Sequence, residues 1–200
     1  DTLVVRAEDN SRKVLTHRVL KVWTRVYAER NDADWYVRLW PDNYVFVERL
    51  AKLLAEYDPN VPQLIGRMGQ FQDKPFIGGG AGWVLSRAAL DSWASTDGPH
   101  LSRCKETMGD FTEDLWFAED VIISRCLVRA NVTLIDRADI FHSHPPGHPA
   151  VGLSEMEAVK GLAPPAVTFH YMNASSTVSL WRKQYRSRRY AVLSIAVHSG

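Results

Sequence analysis

Apolar positions recur along the chain with two periods, one typical of helices and the other of strands. Between positions 14 and 29 they recur every three or four residues, which predicts an amphipathic helix. Positions 34–40 are rich in aromatic and β-branched residues and stop at Pro41, which predicts a strand. Similar patterns predict helices at 45–56, 86–93, 118–130 and 175–185, strands at 4–5, 63–66, 74–77, 132–135 and 166–171, and loops at 96–115 and 141–166.

Alternating helices and strands, without a repeat or a linker, predict one α/β domain over residues 1–200. Apolar residues make up 46% of the 200 and charged residues 24%, which argues against a disordered chain. The 24 basic and 23 acidic residues nearly cancel, so the sequence offers no electrostatic footprint for nucleic acid. The longest apolar runs fall far below the ~20 residues of a membrane span, so we expect no span within this chain.

The two cysteines, Cys104 and Cys126, exclude a disulfide-rich miniprotein and a four-cysteine zinc site. Taken alone they fit free core thiols of a cytosolic protein. Asn131-Val-Thr and Asn173-Ala-Ser match the N-glycosylation acceptor pattern, which shifts the expectation modestly towards a secretory lumen. The sequence alone leaves both compartments open.

Four features could carry chemistry, and each has a structural alternative. Asp42 follows a strand, where carboxylates reach ligands in α/β sheets, but it also suits a turn cap. The glycine segment 78–82 allows close approach to a ligand or simply a tight turn. Glu119 and Asp120 could supply a general base or stabilise a helix N-terminus. His170 could bind a ligand or be a structural residue of an apolar strand.

Three further histidines, His142, His144 and His148, lie in the proline-rich segment 141–166 and suggest metal binding by composition. The segment lacks other ligand types at clear spacing, so we do not favour a metal site there.

Taken together and in order, several motifs resemble the fringe-like inverting glycosyltransferases, particularly the core 1 β1,3-galactosyltransferases. The resemblance covers most of residues 13–185. It rests on Asp34-Trp-Tyr-Val-Arg-Leu-Trp-Pro-Asp-Asn-Tyr-Val45, Leu54-Ala-Glu-Tyr-Asp-Pro59, Gly78-Gly-Gly-Ala-Gly-Trp-Val-Leu-Ser86, Glu119-Asp-Val121 with Arg125-Cys-Leu127, and Thr168-Phe-His-Tyr171.

The resemblance implies a GT-A-like mixed sheet flanked by helices, a UDP-sugar donor and a divalent cation, usually Mn²⁺. It assigns the metal to Asp42 and His170, and the catalytic carboxylates to Asp120, the better candidate for the base, and Glu119. Trp83 would wall the sugar site. The residues implied in donor binding are Arg38, Asp42, Asn43, Gly79, Gly80 and Ala81. The resemblance also implies a disulfide between Cys104 and Cys126 in an oxidising lumen.

The family's acidic triplet aligns with Trp40-Pro41-Asp42, so only its third aspartate is kept. The family's first nucleotide-binding strands have no counterpart here, and we expect an N-terminally truncated domain. The expected activity is transfer of a hexose, first of all galactose, to a glycan or glycoprotein acceptor with a β1,3 linkage. Such an enzyme would be the luminal domain of a type II membrane protein of the Golgi or secretory pathway, with a homo-oligomer as an open option. The alternative is a catalytically silent relative that binds or chaperones an active enzyme.

Overall fold

A computed structural model of the chain describes residues 15–30, 32–98, 101, 103–106, 118–161 and 164–185. The helices are α1 (Leu15–Arg30), α2 (Val47–Leu54), α3 (Arg87–Asp97), α4 (Arg103–Glu106), α5 (Glu119–Arg129), α6 (Glu155–Lys160) and α7 (Ala174–Tyr185). The strands are β1 (Trp35–Arg38), β2 (Tyr44–Val45), β3 (Gln63–Gly66), β4 (Met68–Phe71), β5 (Lys74–Ile77), β6 (Trp83–Ser86), β7 (Thr133–Asp136), β8 (Phe141–His142) and β9 (Thr168–Phe169). The strand predicted at 4–5 lies outside the described residues.

The strands form three sheets, two of which mix parallel and antiparallel pairs. The largest has the order β1-β6-β3-β7, in which only β3 and β7 run parallel. A three-stranded sheet has the order β2-β9-β8, with β8 and β9 parallel. β4 and β5 form a separate hairpin. The predicted α/β class is therefore confirmed, with sheets of mixed direction.

Alternate residues of the central strands face two separate cores, as the period of two in a strand requires. Leu64 and Leu85 belong to one buried cluster together with side chains of α1, α3 and α5. Ile65 and Val84 belong to a second cluster together with side chains of α2. Helices thus cover both faces of the four-stranded sheet.

The aromatic centre of the first core joins helices to the sheet. Trp83 of β6 stacks on Trp23 of α1 with ring centroids 5.2 Å apart. Trp93 of α3 lies 6.5 Å from the same Trp23 ring, centroid to centroid. Such side chains bury large apolar areas and dominate the energetics of a core.

The two cysteines pair with each other. Cys104 and Cys126 form a disulfide with their Cα atoms 5.4 Å apart, linking α4 to α5. The pairing implied by the family resemblance is confirmed, and free thiols are excluded.

Several predicted boundaries need correction. The helix expected at 45–56 begins only at Val47, because Val45 pairs with Thr168 in the three-stranded sheet. The segment 141–166, expected to be irregular, contains β8 and α6, and α6 is held by a capping box between Ser154 and Glu157. The segment expected as a loop at 96–115 contains α4, and the rest of it lies largely outside the described residues.

Candidate active site

Strand pairing brings Asp42 and His170 together. Tyr44 of β2 faces Phe169 of β9 in antiparallel register, so the residues just before Tyr44 lie opposite those just after Phe169. Beyond the sheet this pairing continues, since the Met172 amide donates to the Asp42 carbonyl at 2.9 Å. The His170 amide donates to the His142 carbonyl of β8 at 3.1 Å. Backbone bonds on both sides therefore fix the His170 segment.

The two side chains meet at the end of these strands. Nε2 of His170 lies 3.4 Å from Oδ1 of Asp42. Burial lowers the pKa of His170 below its ordinary value, although the Asp42 carboxylate acts in the opposite direction. The imidazole is therefore mainly neutral at neutral pH, and the pair is better described as two potential ligand atoms than as an ion pair.

The glycine segment passes directly beneath this pair. The Asn43 side-chain amide donates to the Gly80 carbonyl at 2.8 Å, and a β-carbon on Gly80 would lie 2.8 Å from Nδ1 of His170. Gly82 has φ +77°, and its amide donates to the Gly79 carbonyl at 3.1 Å. Glycine is required at position 82 because the backbone turns through a positive φ, and at position 80 because the backbone approaches the imidazole closely.

The other flank of the glycine segment contacts the start of α5. The Gly79 amide donates to Oδ2 of Asp120 at 2.9 Å, and the adjacent Oδ1 accepts from the Val121 amide at 2.9 Å. The buried side of the helix includes Val121, Ile122 and Cys126. Asp120 itself is half-buried, so its carboxylate is both held and partly accessible.

Glu119 forms a buried ion pair with Arg38, and Arg38 also donates to the Gly79 carbonyl at 3.0 Å. Burial raises the pKa of Glu119, while the attraction of Arg38 opposes that change. Burial likewise lowers the pKa of Arg38, opposed by the carboxylates of Glu119 and Asp120. Each partner thus offsets the desolvation of the other.

Gly79 and Gly80 are successive residues, about 3.8 Å apart along the chain. One contacts the Asp120 carboxylate and the other approaches His170. The structure therefore brings together Asp42, Asn43, the glycine segment, Asp120 and His170 in one region.

Two of the expected site residues do not fit their roles. Trp83 is 1% exposed and stacks within the core, so the prediction that it walls a sugar site is wrong. Its strand β6 lies inside the four-stranded sheet, and the side chain faces the helices rather than solvent. The Ala81 side chain is also buried, so it cannot contact a donor, and the Ala81 carbonyl accepts from the Thr168 hydroxyl at 2.7 Å.

Aromatic rings beside the site were missed by the sequence reasoning. Tyr171, 62% exposed, lies with its ring centroid 3.8 Å from that of His170. His144 lies 5.9 Å from the Tyr171 ring and 4.0 Å from the His148 ring, between centroids. The Phe-His-Tyr motif could have indicated Tyr171. The loop that carries His144 and His148 reaches the site only through the tertiary fold, so no local pattern could have indicated it.

No cluster of three ligand atoms forms around these histidines in the part of the chain that the structure describes. The one such group there, Asp97 with Cys104 and Cys126, has both sulfur atoms in the disulfide. His142 is buried and stacks on Phe169 with centroids 5.1 Å apart.

Both glycosylation acceptor residues are exposed. Asn131 lies just after α5, whereas Asn173 precedes α7 and accepts from the Ser176 amide at 2.8 Å. Modification at either asparagine stays a prediction. None of the helices described is long and apolar enough to cross a membrane.

Comparison with known proteins relates the chain to a family and to an individual enzyme. A family described as Fringe-like matches residues 5–183. The glycoprotein-N-acetylgalactosamine 3-beta-galactosyltransferase 1 of Xenopus laevis is 31% identical over 124 residues, which is 59% of this chain. The chain covers 32% of the length of that relative. Since the family match extends over well more than half of the sequence, the chain belongs to the Fringe-like family.

Proposed function

We propose that the protein is a metal-dependent inverting glycosyltransferase that uses a UDP-sugar donor. The observation that carries the proposal is the convergence of Asp42 and His170, 3.4 Å apart, on the glycine segment that also contacts Asp120. Membership of the Fringe-like family and the similarity to a galactosyltransferase support it. A GT-A arrangement of the domain is part of the same proposal.

The Asp42–His170 pair suits a divalent cation. Nε2 of His170 and Oδ1 of Asp42 are 3.4 Å apart, close enough for both side chains to hold one cation. One carboxylate and one mainly neutral imidazole, completed by diphosphate oxygens, form a reasonable set for Mn²⁺. A cation bound there would neutralise the charge that develops on the departing UDP.

Asp120 is the proposed general base. Its carboxylate would accept the proton of the acceptor hydroxyl as that oxygen bonds to the anomeric carbon. The bond from the anomeric carbon to the diphosphate breaks at the same time, and UDP leaves with the electron pair. Base catalysis of this kind contributes roughly 10²–10⁴-fold. The Gly79 amide donates to Oδ2 of Asp120 and so holds the carboxylate against the glycine segment.

Galactose is the proposed sugar, a glycan or glycoprotein the proposed acceptor, and β1,3 the proposed linkage, in line with the name of the Xenopus laevis relative. Asp42, Asn43, Gly79 and Gly80 are the proposed donor contacts. The disulfide supports a place in the oxidising lumen of the secretory pathway, and we propose the Golgi.

The test is transfer by the purified protein with Mn²⁺ and one of three donors: UDP-galactose, UDP-N-acetylglucosamine or UDP-glucose. We expect UDP release and a β-linked product, read from the anomeric coupling in the proton NMR spectrum. Chelation of the metal should stop the reaction, and added Mn²⁺ should restore it. An α-linked product, or full activity in the chelator, would contradict the proposal.

A silent relative that binds an active glycosyltransferase is the second candidate. Trp40 and Pro41 favour it, because they replace two of the family's carboxylates, and the Trp40 ring packs 4.3 Å from the Arg38 guanidinium carbon. Restoring the acids as Trp40→Asp/Pro41→Asp separates the two readings. A silent protein would show no transfer without the substitutions even when UDP is bound, whereas an enzyme would transfer without them.

A further inference from the structure

The Arg38 side chain has no role in the proposed transfer mechanism. Residues two apart on a strand share a face, so Arg38 lies on the same face of β1 as buried Tyr36. This is the face covered by α1, α3 and α5, and it directs the guanidinium towards the start of α5. The side chain is only 10% exposed, so little of it remains for contact with a soluble donor.

The guanidinium bridges the glycine segment and the start of α5. One nitrogen donates to the Gly79 carbonyl at 3.0 Å, and the other pairs with Oε1 of Glu119. Glu119 is adjacent to Asp120, whose carboxylate accepts from the Gly79 amide. The carbonyl and the amide of a single glycine are therefore held by Arg38 and Asp120, respectively.

The Arg38–Glu119 ion pair fills the space beside the α-carbon of Gly79. A β-carbon there would lie 2.4 Å from Nη1 of Arg38 and 2.8 Å from Oε1 of Glu119. Real β-carbons do not approach neighbouring atoms so closely, so the ion pair and the loop are packed against each other. A side chain at position 79 would therefore displace Arg38 or Glu119.

We propose that Arg38 is a positioning residue that, through Glu119 and the Gly79 carbonyl, fixes the Asp120 carboxylate relative to the Asp42–His170 pair. This replaces the donor-binding role expected for Arg38. The inference rests on the proposed function for its kinetic consequence, but its structural consequence can be measured without turnover.

The planar fork of arginine is needed because two acceptors must be bound at once. Lysine would keep the charge but supplies one nitrogen, so Arg38→Lys should restore part of the function. Arg38→Met keeps the approximate length and removes both donors. Arg129→Met is the matched control, because Arg129 pairs with the buried carboxylate of Asp97, outside the site.

Hydrogen exchange of the peptide that contains residues 78–82 gives the structural measurement. We expect Arg38→Met to accelerate exchange at the Gly79 amide, Arg38→Lys to do so less, and Arg129→Met to leave it unchanged. Glu119→Gln also loses the ion pair, so it should accelerate exchange at the Gly79 amide as Arg38→Met does. It replaces Arg38→Met in the test if that variant fails to fold. Unchanged exchange at Gly79 in Arg38→Lys, Arg38→Met and Glu119→Gln would overturn the proposal.

Steady-state kinetics give the second measurement. We expect Arg38→Met to lower kcat by about 10²-fold, as a misplaced catalytic group does, with the KM for the donor within about threefold of its original value. A rise in donor KM as large as the fall in kcat would overturn the proposal in favour of donor binding. Absence of transfer by the unsubstituted protein would count against the proposed function alone, and the exchange measurement would still decide the role of Arg38.

Discussion

A β-carbon on Gly80 would lie 2.8 Å from Nδ1 and 2.9 Å from Cε1 of His170, so the imidazole rests directly against the glycine backbone. Gly80→Ala should therefore push the ring away from Asp42 and weaken Mn²⁺ binding by about tenfold, the lower end of what a displaced supporting group costs. Titration calorimetry with Mn²⁺ and UDP measures the effect.

Gly78→Ala is the matched control, since its β-carbon would meet only the Arg67 carbonyl at 3.6 Å, an ordinary contact. It adds the same methyl group two residues away. Equal Mn²⁺ affinity in the two variants would show that the position of the imidazole does not govern metal binding.

Asp120→Asn tests the base. The amide has nearly the size of the carboxylate and its oxygen can still accept from the Gly79 amide, but it cannot take up a proton at neutral pH. We expect a loss of roughly 10²–10⁴-fold in kcat with Mn²⁺ and UDP binding retained. Glu119→Gln is not equivalent, because it also disrupts the ion pair with Arg38.

Asp91→Asn is the control for Asp120→Asn, as Asp91 is an exposed carboxylate on α3. Its activity should be that of the unsubstituted protein. Near-normal turnover in Asp120→Asn would remove the base role from Asp120.

The local sequence pattern was sufficient to predict those helices and strands whose own side chains determine their structure. The periodicity of α1 and the residues 63–66 of β3 were predicted closely. Ser86 accepts from the Ala89 amide and so caps α3, the helix predicted at 86–93. The proximity of Asp42 and His170 was expected only from the family resemblance. Pairing of β2 with β9, which are more than a hundred positions apart, has no local signal.

Elements that depend on tertiary partners were missed. β4 joins β5 through Gln72 and Asp73, which have φ 51° and 57° without the glycine or asparagine that signals such a turn. β6 follows the glycine segment directly, and the sequence pattern predicted no strand there. Missing β6 also misplaced Trp83, since a residue after a glycine loop suggests a site, whereas an inner strand buries it.

Trp83→Phe checks that correction. Removing part of a buried ring that stacks on Trp23 should lower the free energy of unfolding by about 2 kcal/mol. The KM for the donor should not change, because the ring does not reach the site. Trp181→Phe, at a ring that is 50% exposed, should change stability by less than about 0.5 kcal/mol. A raised KM in Trp83→Phe at unchanged stability would restore the sugar-wall role.

Glu155 should make stability depend on pH in the acidic range. Its hydrogen bond from Lys183 is the main cause that lowers the pKa of Glu155 below its ordinary value, and the bond links α6 to α7. A lowered pKa in the folded state stabilises the protein above the ordinary value, and this contribution is lost as pH falls through the folded-state pKa. Glu155→Gln should therefore lower Tm at pH 7 and have little effect at pH 2, as measured by calorimetry. The same difference in Tm at both pH values would contradict this origin.

The disulfide should stabilise the fold by restricting the unfolded chain. Cys104 and Cys126 are 22 positions apart, and closing a loop of that size contributes about 3 kcal/mol in the chain-entropy description. The double variant Cys104→Ala/Cys126→Ala should lose about that amount in urea unfolding. A thiol reductant should destabilise the unsubstituted protein by a similar amount and leave the double variant unaffected, which separates loss of the bond from loss of buried sulfur atoms. An equal effect of the reductant on both proteins would show that the bond does not account for the difference.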